Sequence, residues 1–452
     1  MRKSLLQRII FLCLFVCVSV WFLLWNQSNK SNEINMEMRQ KLVHDLNYKI
    51  NEMSKLVADN KSFLDKLQDM SVRIQHEQQH KPTSTTKRTT TTKRTTTKKT
   101  DTKLIIPIVV FAFNRPSVSQ CLDLLVKYQP QGGSVSFPVV VSQDGNDIAT
   151  SKVIQGYNDT HKISNYIRHP DPGESLIPPK HRGGLRGYYK LSMHYKWAIT
   201  QVFSLFPSSD SILILEDDLE VAPDFFSYFS SMHNLLLRDP SILCISAWND
   251  NGKTGQIDTG GEKMVYRSDF FPGLGWLLKR STWDELEPKW PLAFWDDWIR
   301  HPDQMQGRAC IRPEISRTKT FGRKGVSNGQ FFDKHLKFIK LNDVKVDWGK
   351  EDLSYLEMQI YDRTFLTKVY SAPSVSLNEL QSNSKPSEKE VRLEYTNSAV
   401  FKTFARALGI MEDLKSGVPR TAYHGIVSIM YSNRRVYIAP VQGWTGYDRS
   451  AS

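Results

Sequence analysis

Cysteine is scarce in this chain, with five among 452 residues. No CxxC pair or Cys/His spacing occurs, so nothing in the cysteine pattern suggests zinc. Cys13 and Cys17 fall in an apolar run near the start. Cys121, Cys244 and Cys310 remain, enough for one bridge and one leftover thiol. Positive charge is scarce where it would matter most. Of the formal +13, Arg2, Lys3 and Arg8 supply three, residues 81–103 supply seven and residues 26–80 cancel, so +3 remains from Leu104 onward. A folded part so close to neutral carries no electrostatic footprint for DNA or RNA, and nucleic acid is set aside as a partner. The tract KPTSTTKRTTTTKRTTTKKTDTK (81–103) has no apolar residue able to build a core. It reads as an extended, solvated spacer whose threonines could carry O-glycans.

Residues 9–25 (IIFLCLFVCVSVWFLLW) lack charge altogether, and Arg2, Lys3 and Arg8 flank them on the N-terminal side. The stretch is short but sufficient for a thin bilayer. The basic flank predicts a cytoplasmic tail at 1–8, a signal-anchor at 9–25 and everything after it lumenal. A cleaved signal peptide is the alternative, but no small-residue cleavage site follows Trp25. A short span suits the membranes of the Golgi or the endoplasmic reticulum. Within the expected stem (26–103), apolar residues recur at steps of three and four through Val43, Leu46, Ile50, Met53, Val57, Leu64, Leu67 and Ile74, with Asn60 and Ser71 interrupting. That pattern fits a coiled-coil seam over 43–74, and so stem-mediated self-association, or a single amphipathic helix. Asn60 also heads a glycosylation sequon, which a buried seam position would exclude. Further sequons begin at Asn26, Asn29 and Asn158.

From Leu104 the chain alternates between strand and helix. An apolar strand is expected over 104–113, a helix over 118–128, a strand over 138–141, a helix over 189–206, a strand over 211–215, a helix over 225–237 and a strand over 243–248. That order implies an α/β fold whose mainly parallel sheet carries helices on both faces. A looser, Gly-rich segment at 322–329 reads as mobile. A smaller α/β set follows from about residue 361, with a helix over 398–408 and strands near 426–430 and 435–438. The expected boundaries are 104–322 for the main domain, 323–358 for the mobile loop and linker, and 359–452 for the C-terminal domain.

The most informative run is Ile212-Leu213-Ile214-Leu215-Glu216-Asp217-Asp218. An apolar strand delivers three carboxylates to its carboxyl end, where open α/β sheets bind ligands. Hard carboxylate oxygens suit Mn²⁺ or Mg²⁺, which keep positions open for substrate phosphates, as in a sugar-nucleotide diphosphate. The plainer reading is a solvated loop starting a helix, its acids favoured by the helix dipole, and Asp224 after Pro223 fits that reading. Trp295-Asp296-Asp297-Trp298 has its own plain reading as a helix N-cap packed on aromatics. Taken singly, Arg115, Asp144 and His194 could each be a strand end, a turn or a core residue.

Long blocks then carry a resemblance: LEDDLEVAPDFF, SAWNDNGK, FFPGLGWLL, ELEPKWP, AFWDDW, GRACIRPEISRTKTFGRKGVS, FFDKHLKFIKLN and LKSGVPR. From Pro107 to about Tyr447 the chain closely resembles the N-acetylglucosaminyltransferase I family. The resemblance implies a GT-A type nucleotide-sugar fold and inverting transfer of GlcNAc from UDP-GlcNAc, with Mn²⁺ or alternatively Mg²⁺. The acceptor it implies is the α1,3-linked mannose of a Man5GlcNAc2 N-glycan. It assigns Asp218 to the metal, Asp217 to the ribose and Glu216 to the GlcNAc hydroxyls. Arg115, Asp144 and His194 go to the uridine, Ser327 to the loop over the diphosphate, and Leu274 and Trp295 to the GlcNAc pocket. Asp296 becomes the catalytic base, its basicity raised by desolvation among Phe294, Trp295 and Trp298. The resemblance pairs Cys244 with Cys310. Phe113 and Gly145 stand where mammalian members have a second pair, so that bridge is absent and Cys121 stays a free thiol. Two alternatives are a related transferase acting on protein O-mannose and a membrane-anchored glycan-binding protein without catalysis.

Overall fold

The computed structural model describes residues 103–323, 325–326, 329–383 and 387–451. The expected tail, signal-anchor and stem lie outside the described residues, apart from Lys103, and so does Ser327. Among the described residues no helix is long and apolar enough to cross a membrane.

Eight strands form the main sheet. They are β1 (Ile108–Ala112), β2 (Val139–Gln143), β3 (Asn165–Arg168), β4 (Ser211–Glu216), β5 (Ile242–Ser246), β6 (Val265–Ser268), β7 (Trp276–Lys279) and β8 (Ala309–Pro313). Their order is β3-β2-β1-β4-β7-β5-β8-β6. The pairs among β3, β2, β1 and β4, and the pair β5 with β8, are parallel. β7 runs antiparallel between β4 and β5, and β6 antiparallel beside β8. The sheet is therefore mixed, not uniformly parallel. β7 reverses because the loop before it holds three consecutive positive-φ residues, Gly273 (67°), Leu274 (48°) and Gly275 (96°). A left-handed Leu costs about 1–3 kcal/mol, so the surrounding structure must hold it there. The long strand expected at 104–113 is also broken. Pro107 has no N–H to give a ladder, and Leu104–Ile105 pairs separately with Val135–Ser136.

Period-2 alternation decides which helix covers which face. Ile108, Val110 and Ala112 pack with Val118, Cys121, Leu122 and Leu125 of α1 (Val118–Tyr128) and with Ile154 of α2 (Ile148–Asp159). The same face takes Phe225, Phe226, Tyr228 and Phe229 of α4 (Phe225–Arg238). Val109 and Phe111 point the other way, onto Tyr195, Ala198, Ile199, Val202 and Phe203 of α3 (Arg186–Leu205). Cys244 and Cys310, opposite each other on β5 and β8, are joined as a disulfide, and Cys121 is free and buried.

The later residues form a second, three-stranded sheet. β9 (Glu390–Tyr395) lies parallel to β11 (Arg434–Pro440), which makes a hairpin with β10 (Val427–Tyr431). The turn residues Ser432 and Asn433 both have positive φ, as a two-residue hairpin turn needs. The chain passes from β9 to β10 through α6 (Ser398–Leu408), and α5 (Trp295–Ile299) lies upstream of this sheet in sequence. Asn397 caps its start by accepting from the Val400 N–H, and left-handed Gly409 ends it.

Asp224 is not the solvated helix-start acid that its sequence setting suggests. Its carboxylate is fully buried and accepts from Arg317 Nη2 at 3.0 Å, Asn342 Nδ2 at 2.8 Å and Trp348 Nε1 at 2.8 Å. The Arg317 guanidinium lies over the Trp348 ring at 5.1 Å. Two buried charges with this many partners stay put; one without the other is costly. Arg317→Met should therefore destabilise the fold by about 3–5 kcal/mol. A denaturant midpoint unchanged from wild type would show that Asp224 does not depend on that cation.

Candidate active site

The carboxyl ends of β1, β2 and β4 bring the expected residues together. Arg115 Nη1 donates to Asp217 Oδ1 at 2.7 Å and to Asp218 Oδ2 at 2.5 Å. The Phe113 N–H donates to the other Asp217 oxygen at 3.3 Å. Glu216 accepts from the Tyr195 hydroxyl at 2.7 Å. Three carboxyls thus gather at one strand end around a single guanidinium. Burial raises the pKa of Glu216 to about 7, with Asp218 adding to the shift. Burial likewise raises Asp217 to about 6, against the opposing pull of Arg115. Asp218 is also raised by burial, again opposed by Arg115, and its Oδ1 is buried without a partner. Burial works against the charge on Arg115, but Asp218 and Asp217 more than offset it and its pKa rises.

This is the electrostatic deficit a hard cation would fill. Among the described residues no group of three or more His, Cys, Asp or Glu could by itself hold a metal. An ion here would lean on Asp218 and on substrate oxygens, the usual habit of Mg²⁺-like ions at phosphates. The chain also presses close to this carboxylate. Residues Leu219–Val221 pair antiparallel with Thr318–Thr320, and Phe321 N–H donates to the Asp218 carbonyl at 2.9 Å. A Cβ on Gly322 would stand 1.9 Å from Asp218 Oδ2, so only glycine fits.

Asp144 and His194 form a neighbouring group. Asp144 Oδ1 lies 2.9 Å from His169 Nδ1, and the Gly145 N–H donates to it at 3.0 Å. Although burial pushes the Asp144 pKa up, His169, His194 and the Gly145 N–H outweigh it, and the value ends below the ordinary one. His194 Nε2 is 2.7 Å from Ser142 Oγ, and its ring stacks on His169 at 5.2 Å. Burial holds His194 down to about 3, so it is neutral near pH 7. His169 escaped the sequence reading because β3, Asn-Tyr-Ile-Arg, is too polar to read as a strand.

Trp295 is buried against Tyr195 at 4.3 Å, Trp290 at 5.7 Å and Trp276 at 6.1 Å. Leu274 holds its left-handed conformation in the loop before β7, and its carbonyl accepts from Thr318 Oγ1 at 2.5 Å. Asp296 departs from expectation. Its side chain is 47% exposed and receives a bond from Arg300 Nη1 at 2.9 Å, so it is not walled in by aromatics. The cause is Phe294, whose left-handed backbone (φ 54°) starts α5 so that Trp295 and Ile299 turn inward and Asp296 outward. Asp296 is linked to the acids through its neighbour Trp295, whose ring stacks on Tyr195 at 4.3 Å while the Tyr195 hydroxyl donates to Glu216. Tyr195 and Arg300 were missed because their contacts depend on how α3 and α5 dock, which no local pattern reveals.

The sign of the pH response follows from Glu216 and Asp217. Both take up protons in the folded state at pH values where the unfolded chain has lost them. Their contribution to stability is present at low pH and fades as pH rises toward about 7. Thermal melts between about pH 5 and pH 8 should show that fall, flattened in Glu216→Gln. Added Mn²⁺ should stabilise more at the upper end, where the carboxylates are ionised; equal stabilisation at both ends would exclude this cluster as its site.

The chain matches the GNT-I family over residues 7–451, further toward the N-terminus than the blocks that carry the resemblance. The Alpha-1,3-mannosyl-glycoprotein 2-beta-N-acetylglucosaminyltransferase of Arabidopsis thaliana is 42% identical over 336 residues, 74% of this chain and 73% of that one. Among solved structures, mannosyltransferase PcManGT from Pyrobaculum calidifontis in complex with GDP-Man and Mn²⁺ is similar at 14% identity and a TM-score of 0.30. That likeness covers 46% of this chain and 54% of the other, about half its length. S. aureus TarS 1-349 in complex with UDP-GlcNAc is similar at 14% identity and a TM-score of 0.27, over 40% of this chain and 47% of its own. Structural likenesses this low carry no argument. Sequence does, and on the family match along nearly the whole length and the identity with the plant enzyme, this chain belongs to the GNT-I family.

Proposed function

We propose that this chain is an inverting β1,2-N-acetylglucosaminyltransferase with a GT-A type main domain. It moves GlcNAc from UDP-GlcNAc to the α1,3-mannose of Man5GlcNAc2, the step that opens complex and hybrid N-glycan synthesis. The observation that carries this reading is the Glu216-Asp217-Asp218 cluster, held at a strand end by one guanidinium in a chain of this family. Its setting is the Golgi lumen, with residues 9–25 as a type II anchor. Residues 359–452 serve as a separate C-terminal domain behind a loop at 323–358.

A bound Mn²⁺, or Mg²⁺, would be held by Asp218 and would neutralise charge on the departing diphosphate. Arg115 opposes the protonation that burial favours at Asp217 and Asp218 and aims both at the donor. Tyr195 orients Glu216 toward the sugar, and Asp144 with His194 frames the base. Leu274 and Trp295 complete the donor pocket, and the role the family resemblance implies for Ser327 is at the diphosphate. Asp296 takes the proton from the attacking mannose hydroxyl as that oxygen displaces the diphosphate, so no covalent intermediate is needed. Its effectiveness comes from being fixed by Arg300 rather than from desolvation.

Man5GlcNAc2 incubated with the detergent-solubilised full chain, UDP-GlcNAc and Mn²⁺ should gain one GlcNAc by mass spectrometry. Addition only to an O-mannosyl peptide would overturn the acceptor. Asp296→Asn should abolish turnover yet keep UDP-GlcNAc binding by calorimetry, whereas Asp218→Asn should weaken both. Wild-type turnover no greater than that of Asp296→Asn would make the protein a glycan-binding one instead.

A further inference from the structure

Phe113 follows β1 with 54% of its surface exposed, yet three of its parts are tied to strand ends. Its N–H donates to Asp217 after β4 at 3.3 Å, and its carbonyl accepts from Gln143 Nε2 on β2 at 3.1 Å. Its ring rests on the backbone of Gly145, where an added Cβ would stand 2.8 Å from Cε2. Gly145 has φ +72°, a conformation that suits glycine, so the turn and the ring make the same demand. Arg115 lies two residues beyond Phe113, and Asp144 immediately precedes Gly145. No covalent link joins these ends, since Cys121 is free and Cys244 is bonded to Cys310.

We propose that Phe113 is a positioning residue: its ring, seated on Gly145, clamps the ends of β1 and β2 and holds Arg115 and Asp144 at the separation the donor nucleotide needs. This rests on the donor assignment above. An exposed aromatic gains little from burial, so the ring's value lies in geometry. It acts through Arg115 and Asp144 without touching the reacting atoms, and small displacements of such groups are expensive in binding.

The test begins with UDP binding to the wild-type full chain by calorimetry; no binding overturns the donor assignment itself. Given binding, Phe113→Ala should raise KM for UDP-GlcNAc roughly tenfold while kcat changes less than about twofold. Gly145→Ala, which displaces the ring, should do the same. The double variant Phe113→Cys/Gly145→Cys separates clamping from direct contact. Its oxidised form, with loss of both thiols verified by mass spectrometry, should regain the wild-type KM, and mild reduction that leaves Cys244–Cys310 intact should remove the gain. A wild-type KM in Phe113→Ala, or a formed bridge that leaves KM as poor as in Phe113→Ala, would overturn the clamp. The second outcome would place the ring against the donor itself.

Discussion

Three carboxyl groups at the end of β4 face one guanidinium, and most of what surrounds them answers that imbalance. Burial makes Glu216, Asp217 and Asp218 all ionise less readily than they would in water, and Arg115 offsets only part of that. Like charges crowded in a buried place are tolerated only where something else supplies the missing positive charge. The neighbours are arranged so that this something can enter. Gly322 brings bare backbone against Asp218, and Tyr195 occupies Glu216 without adding charge. Behind them β4 itself is apolar on both faces, with Leu213 and Leu215 in one core and Ile212 and Ile214 in the other.

The later residues hold the other side of the cleft. Lys415 reaches Asp297 of α5 at 3.0 Å, next to the proposed base. Arg420 joins Asp250, just after β5, at 2.6 Å and Asp413 at 2.9 Å, and Asn251 donates to Thr421 at 3.0 Å. The segment 413–421 is thereby pinned both to α5 and to the loop after β5. Arg300, which fixes Asp296, lies over the Phe270 ring at 4.8 Å, and Phe270 in turn belongs to the core under the second sheet. Asp296 is positioned through a chain of contacts that begins far from it in sequence.

What could be read from the residues followed their local physics. β4 and α4 stood out because one is uniformly apolar and the other repeats its apolar positions at helical spacing. α6 was legible from its pattern within a residue. β3, β6 and β7 were not: each is four residues long, and β6 carries Arg267, whose burial depends on remote acceptors, Asp239, Ser241 and the Leu356 carbonyl. In the site, the acids were legible because three in a row after a core strand contradict burial. The exposure of Asp296 was not, since it turns on a left-handed phenylalanine that nothing in the local pattern announces. Asp224 misled for a related reason: its partners Arg317, Asn342 and Trp348 are all remote in sequence.

Gly322 has a bearing on attempts to harden this enzyme against heat. Replacing loop glycines with alanine is a common engineering route, because it narrows the ensemble of the unfolded chain by a few tenths to about 1 kcal/mol. At this position the added methyl would occupy the volume of an Asp218 oxygen. The methyl can enter only by pushing that carboxylate aside, so the small gain in the unfolded chain is set against a steric clash in the folded one. Position 322 therefore belongs outside any such glycine-to-alanine library, even though its loop setting would otherwise recommend it.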